Sequence, residues 1–191
     1  MKTLFGTPLL HVGTSLDTKK IYNQIKECRA RKSTEAANYT SYFDTSPMEG
    51  VDCTELKNYI MTQAKKYCDT VFPTGKYPGL QFENIWWNLY GQGNYHGRHS
   101  HGSNFLSGTF YVHMDEMSAP LDFHSPIQSL IWSWNSKFGV DTIWSQQVSV
   151  YAVAGDLLIW PPWLEHSVPE QKHQSNNPRC TVSFNLKVIK V

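Results

Sequence analysis

The spacing of hydrophobic positions changes near residue 80, and the change separates two regions of different structure. Between Asp17 and Arg31 the apolar positions Ile21, Ile25 and Cys28 recur at i, i+4 and i+7, which predicts one amphipathic helix. A second helix is predicted over 53–72, with Leu56, Ile60, Ala64, Tyr67 and Val71 along one side. Asp52 and Glu55 form a capping-box pattern at its start, and Pro73, Gly75, Pro78 and Gly79 stop it. Residues 3–12 read as an edge strand broken by Pro8, which has no N–H to give to a ladder. The polar stretch 33–50 reads as a long loop.

Beyond residue 80 the pattern is extended. Strands are predicted near 82–90, 104–114, 120–124, 146–153, 156–160, 166–169 and 179–190, with short turns between them. The last alternates most cleanly. Cys180, Val182, Phe184, Leu186 and Val188 take one face; Arg179, Thr181, Ser183, Asn185 and Lys187 take the other. A polar face of that kind meets water or lines a polar pocket. Two helices followed by about seven strands predict a mainly β sandwich or barrel with the helices packed outside. The chain of 191 residues is read as a single domain. In it, 1–80 supports and 81–191 forms the barrel. Residues 125–145, which include Trp132, Trp134 and Trp144, are long for a hairpin connection. They read as a lid over a site, or as extra strands or a short helix.

Composition adjusts this picture in few places. The formal net charge is +1, so the balance gives no reason to expect a polyanion as main partner. Lys19, Lys20, Lys26, Arg29, Arg31 and Lys32 gather on the first helix and read as a solvated face. The four cysteines show no C-x-x-C spacing and read as reduced, packed thiols. The N-terminal stretch lacks a signal-peptide pattern and no apolar run approaches a membrane span, so the expectation is a soluble cytoplasmic protein. Seven tryptophans, ten tyrosines and only 17% charged residues favour β structure and a deep pocket.

The histidines carry the candidate chemistry. Five of the eight fall between 96 and 124, most densely in His96-Gly97-Arg98-His99-Ser100-His101. In a strand or at its end, residues i and i+2 point the same way, so His99 and His101 can reach one point. Neutral imidazole is a common metal ligand. His166 is the candidate third ligand: it follows Gly155-Asp156-Leu157-Leu158-Ile159-Trp160-Pro161, which reads as a turn, a buried strand and a proline stop. An isolated H-x-H also fits a hydrogen-bonded surface pair. His11, His113, His124 and His173 lack such a setting and read as ordinary residues, and Trp86 and Trp87 as core.

These residues resemble the iron(II)/2-oxoglutarate oxygenases, whose signature is H-x-D/E, a distant His, and an Arg further on. Asn88-x-Tyr90-x-x-Gly93 before His99-x-His101 is similar to the corresponding run of the DNA-alkylation-repair demethylases. Arg179-x-Thr181, thirteen positions beyond His166, resembles the R-x-S/T pair that holds the co-substrate. The overall run is closer still to small stand-alone oxygenases of bacteria and phages. The shared features are Leu4-Phe5 with Pro8, Leu106-Ser107-Gly108 with Tyr111-Val112, Trp163-Leu164-x-His166, and Arg179 leading into Ser183-Phe184-Asn185.

The resemblance implies a double-stranded β-helix, a jelly-roll barrel with Fe(II) at its open end. It implies His99, His101 and His166 as metal ligands. Arg179 would bind the distal carboxylate of 2-oxoglutarate, with Thr181, Tyr90 and Asn88 as further donors and Ser183 in support. With O2, the implied reaction couples oxidation of 2-oxoglutarate to succinate with oxidation of a primary substrate. That substrate could be a protein side chain, a metabolite or a nucleobase, and the resemblance allows a homodimer.

The sequence departs from the family at His101, where Asp or Glu is usual. Three readings stay open: a three-histidine site, a two-histidine site completed by water or an anion, or a carboxylate from elsewhere, Asp115 and Asp122 being the nearest acids after the motif. A rival resemblance is to the cupins, some of which are three-histidine iron dioxygenases without oxoglutarate. A non-catalytic jelly-roll module, with Trp132, Trp134, Trp144, Trp160 and Trp163 stacking on sugars, is a third reading.

Overall fold

Nine strands and two helices are seen in the computed structural model, which describes residues 6–31, 40–72, 79–127, 145–172 and 177–189. In chain order they are β1 (Leu10–Gly13), α1 (Thr18–Arg31), α2 (Thr54–Val71), β2 (Leu80–Tyr90), β3 (His96–His99), β4 (Leu106–His113), β5 (Leu121–His124), β6 (Gln147–Val150), β7 (Asp156–Trp160), β8 (His166–Val168) and β9 (Arg179–Val188). A five-stranded sheet has the order β1-β7-β4-β9-β2, and a four-stranded sheet the order β3-β8-β5-β6. The paired strands are antiparallel throughout. This is the mainly β, jelly-roll class expected, with the helices outside.

The larger sheet is buried on both faces, which explains its near-continuous apolar strands. Its outer face carries Trp87, Leu89, Phe110, Leu157, Ile159, Val182 and Phe184. These pack with Ile21 and Ile25 of α1 and with Leu56, Ile60 and Ala64 of α2. The inner face carries Tyr90, Tyr111, Leu158 and Trp160, which form a second core with Leu121, Phe123 and Val168 of the smaller sheet. Period-two alternation therefore assigns each residue of β2, β4, β7 and β9 to one core or the other. Gly108 serves the outer core. A Cβ there would lie 2.2 Å from Phe184 Cζ and 2.7 Å from the Leu158 carbonyl oxygen, so only glycine lets the Phe184 ring seat against β4.

Several sequence expectations need correction. The capping box does not form: α2 is preceded by Cys53, without a side-chain cap. Asp52 instead accepts the Thr54 amide at 3.3 Å and pairs with Lys20 at 2.9 Å. Among the described residues the N-terminal strand is Leu10–Gly13, beyond Pro8. Part of the 33–50 loop is tied to the barrel, because the Ser41 amide donates to the Trp87 carbonyl and the Trp87 amide donates to Ser41 Oγ, both at 3.0 Å. β3 is an additional strand. The segment 125–145, read as a lid, extra strands or a short helix, falls almost wholly outside the described residues. The four cysteines are free and buried, as expected. Among the described residues, no helix is long and apolar enough to cross a membrane.

Candidate metal centre

The short strands β3 and β8 pair so that His99 stands opposite His166. Directly opposed residues in an antiparallel pair have neighbouring Cβ atoms, and these two rings lie 4.3 Å apart by centroid. His101 lies just past the end of β3. Its amide donates to the Pro162 carbonyl at 2.8 Å, which holds that stretch against the turn leading into β8. Its ring is 5.0 Å from that of His99 and 5.2 Å from that of His166. One ligand atom from each ring falls within 4.8 Å of the others.

Two of the rings are held in a ligating form. His99 Nδ1 lies 2.7 Å from the Gly97 carbonyl, and His166 Nδ1 lies 2.9 Å from the Leu164 carbonyl. Each Nδ1–H is thereby committed to a carbonyl acceptor, and each Nε2 keeps its lone pair free for a metal. Burial, reinforced by neighbouring imidazoles, pushes His101 down to about 4 and His166 down to about 3. Both rings are therefore neutral, the metal-binding form, across the physiological range. Among the described residues no carboxylate joins the cluster. Asp122 accepts from Ser149 Oγ at 2.6 Å and Asp115 from Ser118 Oγ at 3.0 Å, each away from the three rings.

The polar face of β9 supplies the rest of the pocket. Arg179 is 1% exposed, and no acidic side chain pairs with it among the described residues. Its Nε has no hydrogen-bond partner, while the guanidinium lies 4.8 Å from the Tyr90 ring centroid and 5.4 Å from that of Tyr111. A lone buried cation calls for an anion. Beside it, Asn88 Nδ2 donates to Thr181 Oγ1 at 3.3 Å and to Ser183 Oγ at 3.2 Å, and Ser183 Oγ meets Thr109 Oγ1 at 3.0 Å. The Asn88 donors are thus engaged within the wall, and Tyr90 directs its hydroxyl towards His96 Nδ1 at 3.3 Å.

All eight residues singled out from the sequence (Asn88, Tyr90, His99, His101, His166, Arg179, Thr181 and Ser183) line this one pocket. It is also lined by residues that sequence reasoning assigned elsewhere or left aside. The sequence pairs Trp86 with Trp87 as core, but only Trp87 faces the helices; Trp86 turns into the site, 6.3 Å from His101 by ring centroid. Trp160 contacts His166 edge-on at 4.9 Å, and His96 stacks on His99. Alternation along β2 could have identified Trp86, since it shares its face with Asn88 and Tyr90.

Comparisons with known proteins bear on the fold and the lineage. A family model described as "Putative 2OG-Fe(II) oxygenase" matches residues 84–185, more than half of the chain. No curated protein sequence matches. Among solved structures, AviO1 from Streptomyces viridochromogenes Tue57 aligns with a TM-score of 0.63 at 9% identity, covering 95% of this chain and 90% of that one. HygX from Streptomyces hygroscopicus, determined with nickel and 2-oxoglutarate bound, aligns with a TM-score of 0.60 at 8% identity over 95% and 83% of the two chains. A Pseudomonas putida prolyl-4-hydroxylase gives 0.54 at 15% identity over 97% and 89%. At such low identities these likenesses establish the fold, and the family model establishes the lineage. The chain belongs to the 2OG-Fe(II) oxygenases, enzymes that use ferrous iron, 2-oxoglutarate and dioxygen.

Proposed function

We propose that residues 81–191 form the catalytic barrel, that His99, His101 and His166 hold the iron, and that Arg179 and Thr181 hold 2-oxoglutarate. The observation that carries this reading is the fully buried Arg179, without an acidic partner among the described residues, in the same pocket as three converging imidazoles. A dianion with one end on the metal and the other at the guanidinium meets both requirements. Three imidazoles are a donor set suited to divalent iron. Iron and 2-oxoglutarate, when bound, supply the oxidising chemistry.

The chain's own residues position and enclose. Asn88, Thr181 and Ser183 form a hydrogen-bonded wall that orients the hydroxyl of Thr181 beside Arg179. Tyr90 and Tyr111 keep the guanidinium between aromatic surfaces. Leu121, Trp160 and Val168 close the inner wall with apolar surface, which limits water at the metal and strengthens electrostatic contacts. Helices α1 and α2 brace the outer face of the sheet that carries Arg179. The buried free thiols fit a reducing compartment, which supports the cytoplasm as the site of action.

The competing readings find less support. A dioxygenase that needs no oxoglutarate leaves Arg179 without a purpose. A sugar-binding module leaves the three converging imidazoles without a purpose; of its tryptophans Trp160 is 1% exposed and Trp163 50%, while Trp132, Trp134 and Trp144 lie outside the described residues. The primary substrate remains one of the three classes named above. The test is anaerobic loading with Fe(II), followed by 2-oxoglutarate titration and, in air, assay for succinate. The expected result is one iron per chain and binding of 2-oxoglutarate that is lost in Arg179→Ala. Unchanged 2-oxoglutarate affinity in that variant would refute the assignment.

A further inference from the structure

The pocket holds a fourth imidazole to which no role has been given. His96 precedes His99 by three residues, a spacing that places two side chains on opposite faces of a regular strand. Here β3 runs three residues, from the partner of Val168 to the partner of His166, while β8 runs two. This bulge at Gly97 and Arg98 turns both His96 and His99 inward, and re-aiming a side chain is a common use of bulges beside active sites. The two rings stack at 4.1 Å with an interplanar angle of 14°. On its other side His96 meets the Tyr90 hydroxyl at Nδ1, 3.3 Å away, and the Tyr90 ring in turn carries the Arg179 guanidinium at 4.8 Å. His96 therefore bridges the three converging imidazoles and the buried cation. When the Tyr90 hydroxyl donates to Nδ1 rather than accepting from it, the ring proton resides on Nε2, for which no hydrogen bond is seen among the described residues.

We infer that His96 is a co-substrate-binding residue, its Nε2–H donating to the distal carboxylate of 2-oxoglutarate alongside Arg179. The inference rests on the pocket reading proposed above. It gives the β3 bulge a purpose, and it makes the Tyr90 hydroxyl the group that sets the tautomer of His96.

The test uses the full chain loaded anaerobically with Mn(II), so that binding is read without turnover. Calorimetry measures affinity for 2-oxoglutarate and for oxalate, which chelates a metal but has no distal carboxylate. His96→Phe keeps the stack on His99 and removes the donor. Its 2-oxoglutarate affinity is expected to fall about tenfold to a hundredfold, as for loss of one hydrogen bond to a charged group, with Mn(II) and oxalate affinities within about threefold of the parent. His96→Gln, which restores an N–H, is expected to recover most of the loss. Should the Phe variant lack a cooperative thermal transition, His96→Leu carries the same comparison. Undiminished 2-oxoglutarate affinity overturns the inference. So does an equal loss for Mn(II), oxalate and 2-oxoglutarate, which would mean that His96 only supports His99. Arg179→Ala run in parallel separates the two levels: if it too binds 2-oxoglutarate normally, the pocket reading itself has failed.

Discussion

His99 and His166 face each other across β3 and β8, and each has its Nδ1 tied to the main-chain carbonyl two residues before it, that of Gly97 and of Leu164. Two imidazoles on different strands thus share one local device, a main-chain hydrogen bond that orients the ring and exposes Nε2. His101 has no such tie and is held through its backbone bond to Pro162.

That difference leads to a prediction about the donor set. His99→Ala and His166→Ala are each expected to lower iron affinity by at least the roughly 10- to 100-fold seen when even an outer partner of a metal ligand is removed. His101→Ala should show the same loss, whereas His101→Asp, which restores the family's usual carboxylate, should retain iron. Metal content after dialysis, measured by mass spectrometry, gives the answer. Full iron occupancy in His101→Ala would establish a two-histidine site.

Arg179 is expected to weaken the metal-free fold. A buried charge without a counter-ion is unfavourable, and an apolar side chain of similar length removes that penalty. Arg179→Met should therefore raise the unfolding free energy of the ligand-free protein by about 1 kcal/mol. The same variant should lose the thermal stabilisation that 2-oxoglutarate confers on the metal-loaded parent. Urea titrations and thermal scans measure the two effects, and a less stable variant that still responds to 2-oxoglutarate would contradict both.

Acid should destabilise the metal-free protein well before its carboxylates titrate. Burial holds His96 and His101 down to about 4 and His166 down to about 3. Imidazole in an unfolded chain titrates near 6.5. Between those values the unfolded state binds more protons, so stability rises with pH. The contribution is complete above about 6.5 and is lost progressively as pH falls towards 4. With chelator present, the urea midpoint should be lower at about pH 5 than at about pH 7.5. Equal midpoints would show that the folded pocket accepts those protons.

Gly108→Ala tests the packing of the larger sheet. The added methyl would overlap the Phe184 ring and approach the Leu158 carbonyl, so β4 or β9 must shift. Overpacking of this kind destabilises by about 1–3 kcal/mol. The urea midpoint reports it, and the double variant Gly108→Ala, Phe184→Leu should recover part of the loss.

Much of this architecture was legible in the chain because it depends on period alone. α1 and α2 coincide with the predicted helices, and β9 separates apolar Cys180, Val182, Phe184 and Leu186 from polar Arg179, Thr181 and Asn185 as its alternation requires. The candidate site was legible for a different reason: the histidine spacing pointed to a metal, and the resemblance to the oxygenases singled out Arg179, Thr181, Asn88 and Tyr90.

What the sequence determined by itself was which faces are apolar and which side chains can bind a metal or an anion. It could not determine which polar face would be inside. The polar face of β9 was equally consistent with water, and only the closure of a second sheet over it turned Arg179 into a buried cation. Nor could it reveal His96, because a strand of regular period turns that ring away from His99. The one-residue mismatch between β3 and β8 reverses the direction, and pairing register is a property of two strands brought together from positions far apart in the chain.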